Sequence, residues 1–360
     1  MTQTTEFLVY VGTYTRGPEE GIYVYTFDAA TGALQYQSVA AGVVNPSFLA
    51  IHPSQRFLYA TNELGGESGG AVSAFAIDPA SGNLTFINSQ PAKGTATCYV
   101  STDRTGQYAM AANYGSGSII MFPIQPDGSL KPDSSFIQHE GASRANPARQ
   151  ESPHAHSIMP DPNNRYVLAC DLGLDKVMVY NLDLPNGLLT PAPHPWAQVT
   201  PGMGPRHFAF HPQGQYVYVV TEMGSTIIAY AYDAEQGKLD ELQTLSTLPE
   251  GYQGDTTGAD IQMHPSGKFV YTSNRGHDSI AMFAIDESTG LLTSIGYEST
   301  QGRVPRNFAI DPTGTFLLAA NQNSDTVVSF HLDPVTGKLT PTGHVTEIPR
   351  PVCVKMMARG

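Results

Sequence analysis

The feature that most constrains this chain is repetition. Residues 204–239, GPRHFAFHPQGQYVYVVTEMGSTIIAYAYDAEQGKL, read as a short apolar run, a turn, two alternating strands and a hairpin, and most other segments are edited copies of them. The strands are β-branched and aromatic runs separated by Gly, Pro, Asp and Asn, which is strand and hairpin punctuation. Two anchors mark the copies. One is a turn, His52-Pro53, Asp103-Arg104, Asp161-Pro162, His211-Pro212, His264-Pro265 and Asp311-Pro312. The other is a hairpin glycine, Gly32, Gly82, Gly128, Gly187, Gly237, Gly290 and Gly337, spaced 50, 46, 59, 50, 53 and 47 residues apart.

A period near 50 holding four strands and no helical pattern predicts an all-β, seven-bladed β-propeller with four antiparallel strands per blade. The turn anchor occurs six times because the chain starts inside a blade. Residues 7–12 resemble a second strand, and their missing first strand recurs as Val352-Cys353-Val354-Lys355-Met356. Both termini should therefore share one blade and close the ring, which removes an open sheet edge. Cutting such a ring would open it, so residues 1–360 are expected to form one domain. The 59-residue spacing holds an insertion, 131–152, expected to loop over one rim, and 64–70 form a smaller Gly-rich insertion.

The formal charge of −13 argues against nucleic-acid or anionic-membrane surfaces, so an anionic ligand must be held locally. No apolar run reaches membrane-span length, and the first residues, MTQTTEFLVYVGTY, lack a basic stretch followed by an apolar one; a cytoplasmic location is expected. Cys98, Cys170 and Cys353 each lie in an apolar strand and are expected to be buried thiols. Oligomeric state, monomer or dimer, is not legible.

Positions that serve only the fold should look alike in every blade, so polar outliers at equivalent positions are informative. Five residues before the turn anchor stand Ser47, Cys98, His156, Arg206, Ala259 and Arg306; one later come Phe48, Tyr99, Ser157, His207, Asp260 and Asn307. Eleven residues after the anchor stand Glu63, Tyr114, Leu172, Glu222, Arg275 and Gln322. Antiparallel neighbours put the start of one strand beside the end of the next, so both sets should converge on one mouth of the central channel. Three arginines at one mouth of an acidic chain suit an anionic ligand. Other repeated polar residues read as structural: His52, His211 and His264 as turn residues, and Asn62, Asn113, Asn274 and Asn321 as backbone caps. Glu222 could simply pair with Arg206. His154 and His156 lie on one side of a strand, but no third ligand accompanies them, and neither metal nor cofactor is expected.

The segments SPHAHSI (152–158), GPRHFAFHP (204–212), Thr221-Glu222 and GADIQMHPSGKFVYTSNR (258–275) resemble the seven-bladed lactonase propeller family. That family includes bacterial 6-phosphogluconolactonases and fungal carboxy-cis,cis-muconate lactonizing enzymes. The resemblance extends over essentially the whole chain, through YVGTYT (10–15), ANYGSGSI (112–119) and PRNFAIDPTGTFLLAANQ (305–322). It implies that one of His154 and His156, together with Arg206, Glu222 and Arg275, matches site residues proposed for the muconate enzyme.

Lactone hydrolysis needs an activated water and positive groups where the oxyanion develops. The expectation is that His154, His156 or Glu222 takes the water's proton, and that Arg206 or Arg275 stabilises the oxyanion. Arg306, with Arg144 or Arg149 of the long loop, would hold the phosphate of 6-phosphogluconolactone, and His207, Asp260, Asn307, Glu63, Tyr114 and Gln322 would complete substrate binding. Three rivals stand beside this one: lactonization of a muconate-type tricarboxylate, hydrolysis of an unphosphorylated sugar lactone, and a non-catalytic propeller binding a partner on its rim.

Overall fold

In the computed structural model, which describes residues 6–66 and 69–359, seven four-stranded antiparallel sheets stand around an axis. Blade 1 is built from both ends of the chain: Pro351–Ala358 is its innermost strand, paired with Glu6–Thr13, so that Val9 faces Met356 and Tyr10 faces Lys355. Blades 2 to 7 follow in order, with inner strands Leu49–Ile51, Thr97–Thr102, Ala155–Pro160, Pro205–Phe210, Thr257–Met263 and Pro305–Ile310. The ring expected from the 50-residue period is the ring observed.

The two anchors work between blades. The hairpin glycines all sit at positive φ, and a Cβ on Gly128, Gly290 or Gly337 would lie within 2.5 Å of Phe57, Tyr216 or Phe269 of the preceding blade. Glycine is thus required twice, for the turn and for the close approach. Buried tyrosines reinforce the joint. Tyr59, Tyr218 and Tyr271 donate to the carbonyls of Gly128, Gly290 and Gly337 at 3.0, 3.0 and 2.9 Å. The turn histidines act alike, His52, His211 and His264 binding the carbonyls of Gly106, Gly267 and Gly314 in the next blade. Their structural reading holds. So does that of the repeated asparagines, whose side-chain amides donate to Val44, Ala92, Thr247 and Thr300 carbonyls and close the corner between blades.

Middle strands are buried on both faces, as in Tyr108–Asn113 and Phe316–Asn321, and outer strands such as Ala33–Ala41 face water. All three cysteines are free and buried. The 64–70 insertion falls partly outside the described residues.

Candidate active site

Five of the six later blades depart from regular pairing at the start of the inner strand. In blade 3 Thr97 pairs with Asn113 and Tyr99 with Ala112, leaving Cys98 unpaired; the same bulge leaves out His156 in blade 4, Arg206 in blade 5, Ala259 with Asp260 in blade 6 and Arg306 in blade 7. In blade 1 the same shift frees Val352. A bulge aims its extra residue away from the ladder, here at the channel. The position at which the repeats disagree most is therefore the position relieved of pairing.

These residues meet those at the ends of the second strands. Glu222, following Tyr216–Thr221, is the centre of the mouth. Its carboxylate accepts from Arg206 Nε at 2.9 Å and Arg149 Nη2 at 2.5 Å, and Arg275 Nη2 lies at 3.0 Å. Burial alone would raise its pKa, but Arg275, Arg206 and Arg149 together hold it well below the usual carboxylate range. Arg206, 1% exposed, also donates to the Ala259 carbonyl. Burial pulls Arg275 down to about 9 despite the carboxylate beside it. Arg149 comes from the 131–152 insertion and also donates to the Tyr114 hydroxyl at 3.1 Å. Its loop neighbour Arg144 stays exposed on the rim.

His154 stacks on the Tyr114 ring, centroids 4.6 Å apart, and His156 meets the same ring edge-on at 5.4 Å. The Nδ1 of His154 lies 2.8 Å from the Tyr114 carbonyl, which can only accept, and its Nε2 lies 3.2 Å from Oε1 of the exposed Glu151 carboxylate. His156 is fully enclosed. Burial, then the charge of Arg206, depress its pKa well below the ordinary value and keep it neutral. Its Nε2 stands 4.0 Å from Glu222 and its Nδ1 3.7 Å from the Cys98 sulfur.

The next layer is more inward-looking. His207 Nδ1 donates to Asp260 at 2.8 Å, and burial with Arg206 lowers its pKa to about 4. Asp260 also accepts from Gln262 and Asn307, and Asn307 accepts from the Val354 amide. Asp260 and Asn307 thus spend their hydrogen bonds inside the fold, holding His207 in place. Gln322, just after the second strand of blade 7, turns to Asn323.

Arg306 borders the Glu222 cluster without pairing with its carboxylate. It is half-buried, 5.4 Å over the ring of Tyr14, whose hydroxyl donates to Glu63 at 2.9 Å; Arg350 lies over the same ring at 5.4 Å. None of the ion pairs among the described residues involves Arg306. Arg306 lines an enclosed cavity of about 10 Å³ with His156, Arg206 and His207, the scale of one water. Tyr14 and Arg350 are residues that sequence reasoning missed. Tyr14 occupies the Glu222 position of blade 1, and laying YVGTY over YVVTE would have found it.

The model of the family described as Lactonase, 7-bladed beta-propeller matches residues 8–356. The chain belongs to that family. It is 41% identical over 354 residues to a 6-phosphogluconolactonase of Bacillus subtilis strain 168, covering 98% of this chain and 99% of that one. It is 36% identical over 308 residues to a 6-phosphogluconolactonase of Formosa agariphila, covering 84% and 86%. Among solved structures, a periplasmic gluconolactonase of Pseudomonas aeruginosa superposes with a TM-score of 0.93 at 35% identity, over 99% of this chain and 100% of that one. Among the described residues of this lactonase-family propeller, no group of three His, Cys, Asp or Glu side chains is placed to hold a metal ion. No helix among them is long and apolar enough to cross a membrane.

Proposed function

We propose that this chain is a lactonase that adds water to 6-phosphoglucono-1,5-lactone and releases 6-phosphogluconate, with the mouth centred on Glu222 as its active site. The observation that carries this reading is the division of the arginines. Glu222 engages and orients three of them, whereas Arg306, beside Arg206 at the shared cavity, makes no ion pair among the described residues and keeps its donors for an anion. A guanidinium fork matches phosphate oxygens, and Arg306 takes that role.

His154 accepts the proton of the attacking water on Nε2 once that water displaces the exposed Glu151 carboxylate from it, the ring being fixed through Nδ1 by the Tyr114 carbonyl. The water oxygen bonds to the lactone carbonyl carbon, and the carbonyl oxygen takes up the negative charge beside Arg206 and Arg275. As the tetrahedral intermediate collapses, the ring C–O bond breaks and the imidazolium returns its proton to the departing alkoxide. Glu222, surrounded by guanidiniums, is a poor base and serves to hold the arginines. Three unpaired cysteines suit a reducing, cytoplasmic compartment.

The test is proton release from freshly made 6-phosphogluconolactone against gluconolactone, corrected for spontaneous opening. The expected preference is for the phosphorylated lactone. Replacing Arg306 by Ala should raise KM for it about 10- to 100-fold, as loss of a charged hydrogen-bond donor implies, and leave gluconolactone turnover unchanged. Equal activity on both lactones would replace this reading with that of a general sugar lactonase, which the likeness to the Pseudomonas gluconolactonase favours.

A further inference from the structure

The channel has a second mouth, on the side where the inner strands end. A layer of aromatic side chains divides the two. Phe48 stacks on Tyr99 with centroids 4.0 Å apart, and His207 packs its edge against both at 5.7 and 5.1 Å. Beyond this layer lies a cavity of about 290 Å³ lined by Ser101, Arg104, Met159, Lys355 and Met356, among others. That volume sits at the lower end of small-molecule sites, roughly 300 Å³ and upward.

Comparison between blades singles out one residue here. Two positions before the turn anchor the six later blades carry Ala50, Ser101, Met159, Ala209, Gln262 and Ala309, all uncharged. The closing blade carries Lys355 at the equivalent place. Its ammonium lies 4.6 Å over the Phe48 ring and is half-buried. No ion pair among the described residues involves Lys355 or Arg104. Asp260 feels the charge of Lys355, yet His207, Gln262, Asn307 and the Phe308 amide already occupy its oxygens. A cation partly withdrawn from water with no carboxylate in ion-pair contact has donors left over that an incoming anion would accept from.

We propose that this far mouth is a second ligand site, in which Lys355 and Arg104 hold the phosphate or carboxylate group of a small organic anion and Met159 and Met356 cover its carbon chain. The aromatic layer keeps it separate from Arg306, so both mouths can be occupied at once. The site stands whichever lactone the first mouth opens.

The two methionines supply the test. In protein labelled with 13C at the methionine methyls, the Met159 and Met356 signals are assigned by Met159→Leu and Met356→Leu and followed during titration with inorganic phosphate and, separately, with gluconate. Saturable shifts of both signals with either anion are expected, the tighter of the two naming the head group. Lys355→Met should weaken the response about tenfold or more, and Arg306→Ala should leave it in place. Shifts that never saturate, or that persist unweakened in Lys355→Met, would overturn the site. If Lys355→Met does not fold, Arg104→Gln carries the same comparison with the same two outcomes.

Discussion

At the scale of the residue, the mouth is governed by one carboxylate. Glu222 is 5% exposed and shared by Arg206, Arg149 and Arg275. Glu222→Gln would leave guanidiniums buried without their counter-charge, at a cost of about 3–5 kcal/mol, visible as a lowered melting temperature along with lost activity. Arg206→Ala would not separate chemistry from stability. The burial of Arg206 and its bond to the Ala259 carbonyl make its loss costly to stability, so Arg206→Lys, which keeps the charge, is the variant to assay. That change should lower kcat by roughly 10²–10³ if Arg206 is the oxyanion donor.

The histidines set the pH response. His207 titrates near 4 in the fold but near 6.5 when unfolded. Its contribution to stability is complete above about pH 6.5 and is lost as pH falls towards 4, because only the unfolded chain takes up the proton in that window. His156 acts in the same direction. Glu222, depressed in the fold, contributes fully above its unfolded pKa of about 4.3 and fades only below it. Melting temperature should therefore decline from pH 7.5 to 5 through the histidines alone, with less decline in His207→Gln. Outliers among the repeats revealed Arg206, Glu222, Arg275 and His156 because a single chain supplied several copies to compare. Arg149 was legible only as one of two loop arginines, since an insertion has no copy in other blades and its reach to Glu222 is a fact of three dimensions.

At the scale of the element, each blade corner is held by one small polar side chain. Asn113 donates to the Ala92 carbonyl and accepts from Thr97, both without solvent. Asn113→Ala should cost roughly 1–3 kcal/mol through the unpaired carbonyl, measured by urea unfolding. Blade 4 differs. Asp171 replaces the asparagine and accepts from the His154 amide at 2.8 Å, while its other oxygen takes His139 Nδ1 at 2.6 Å. The spacing of hairpin glycines and the strand periods made the blades readable, because a tight turn demands a residue type that sequence displays. The bulges were not readable. Nothing in Pro205-Arg206-His207 marks Arg206 as unpaired until its neighbours are seen opposite Thr221 and Val220.

At the scale of the whole molecule, closure depends on residues 351–358, which pair with Glu6–Thr13 and pack against blades 2 and 7. Removing them would expose the inner edge of blade 1 and the apolar residues Val9 and Val11 beneath it. The truncated chain should lose cooperative unfolding and self-associate, as read by urea titration and gel filtration. Closure was legible because one strand was missing at the start and one was left over at the end. The net charge of −13 said only that an anionic ligand would have to be met locally, and the structure brings Arg149, Arg206 and Arg275 together at one mouth.

The bulges have a bearing on how such a ring can change its trade. A residue outside the ladder can be exchanged without disturbing the hydrogen bonds that hold its strand, so thiol, imidazole, methyl group and guanidinium coexist at one position of otherwise similar blades. Substrate preference can then drift by single substitutions while the scaffold is inherited intact, and relatives with the same architecture need not share a substrate.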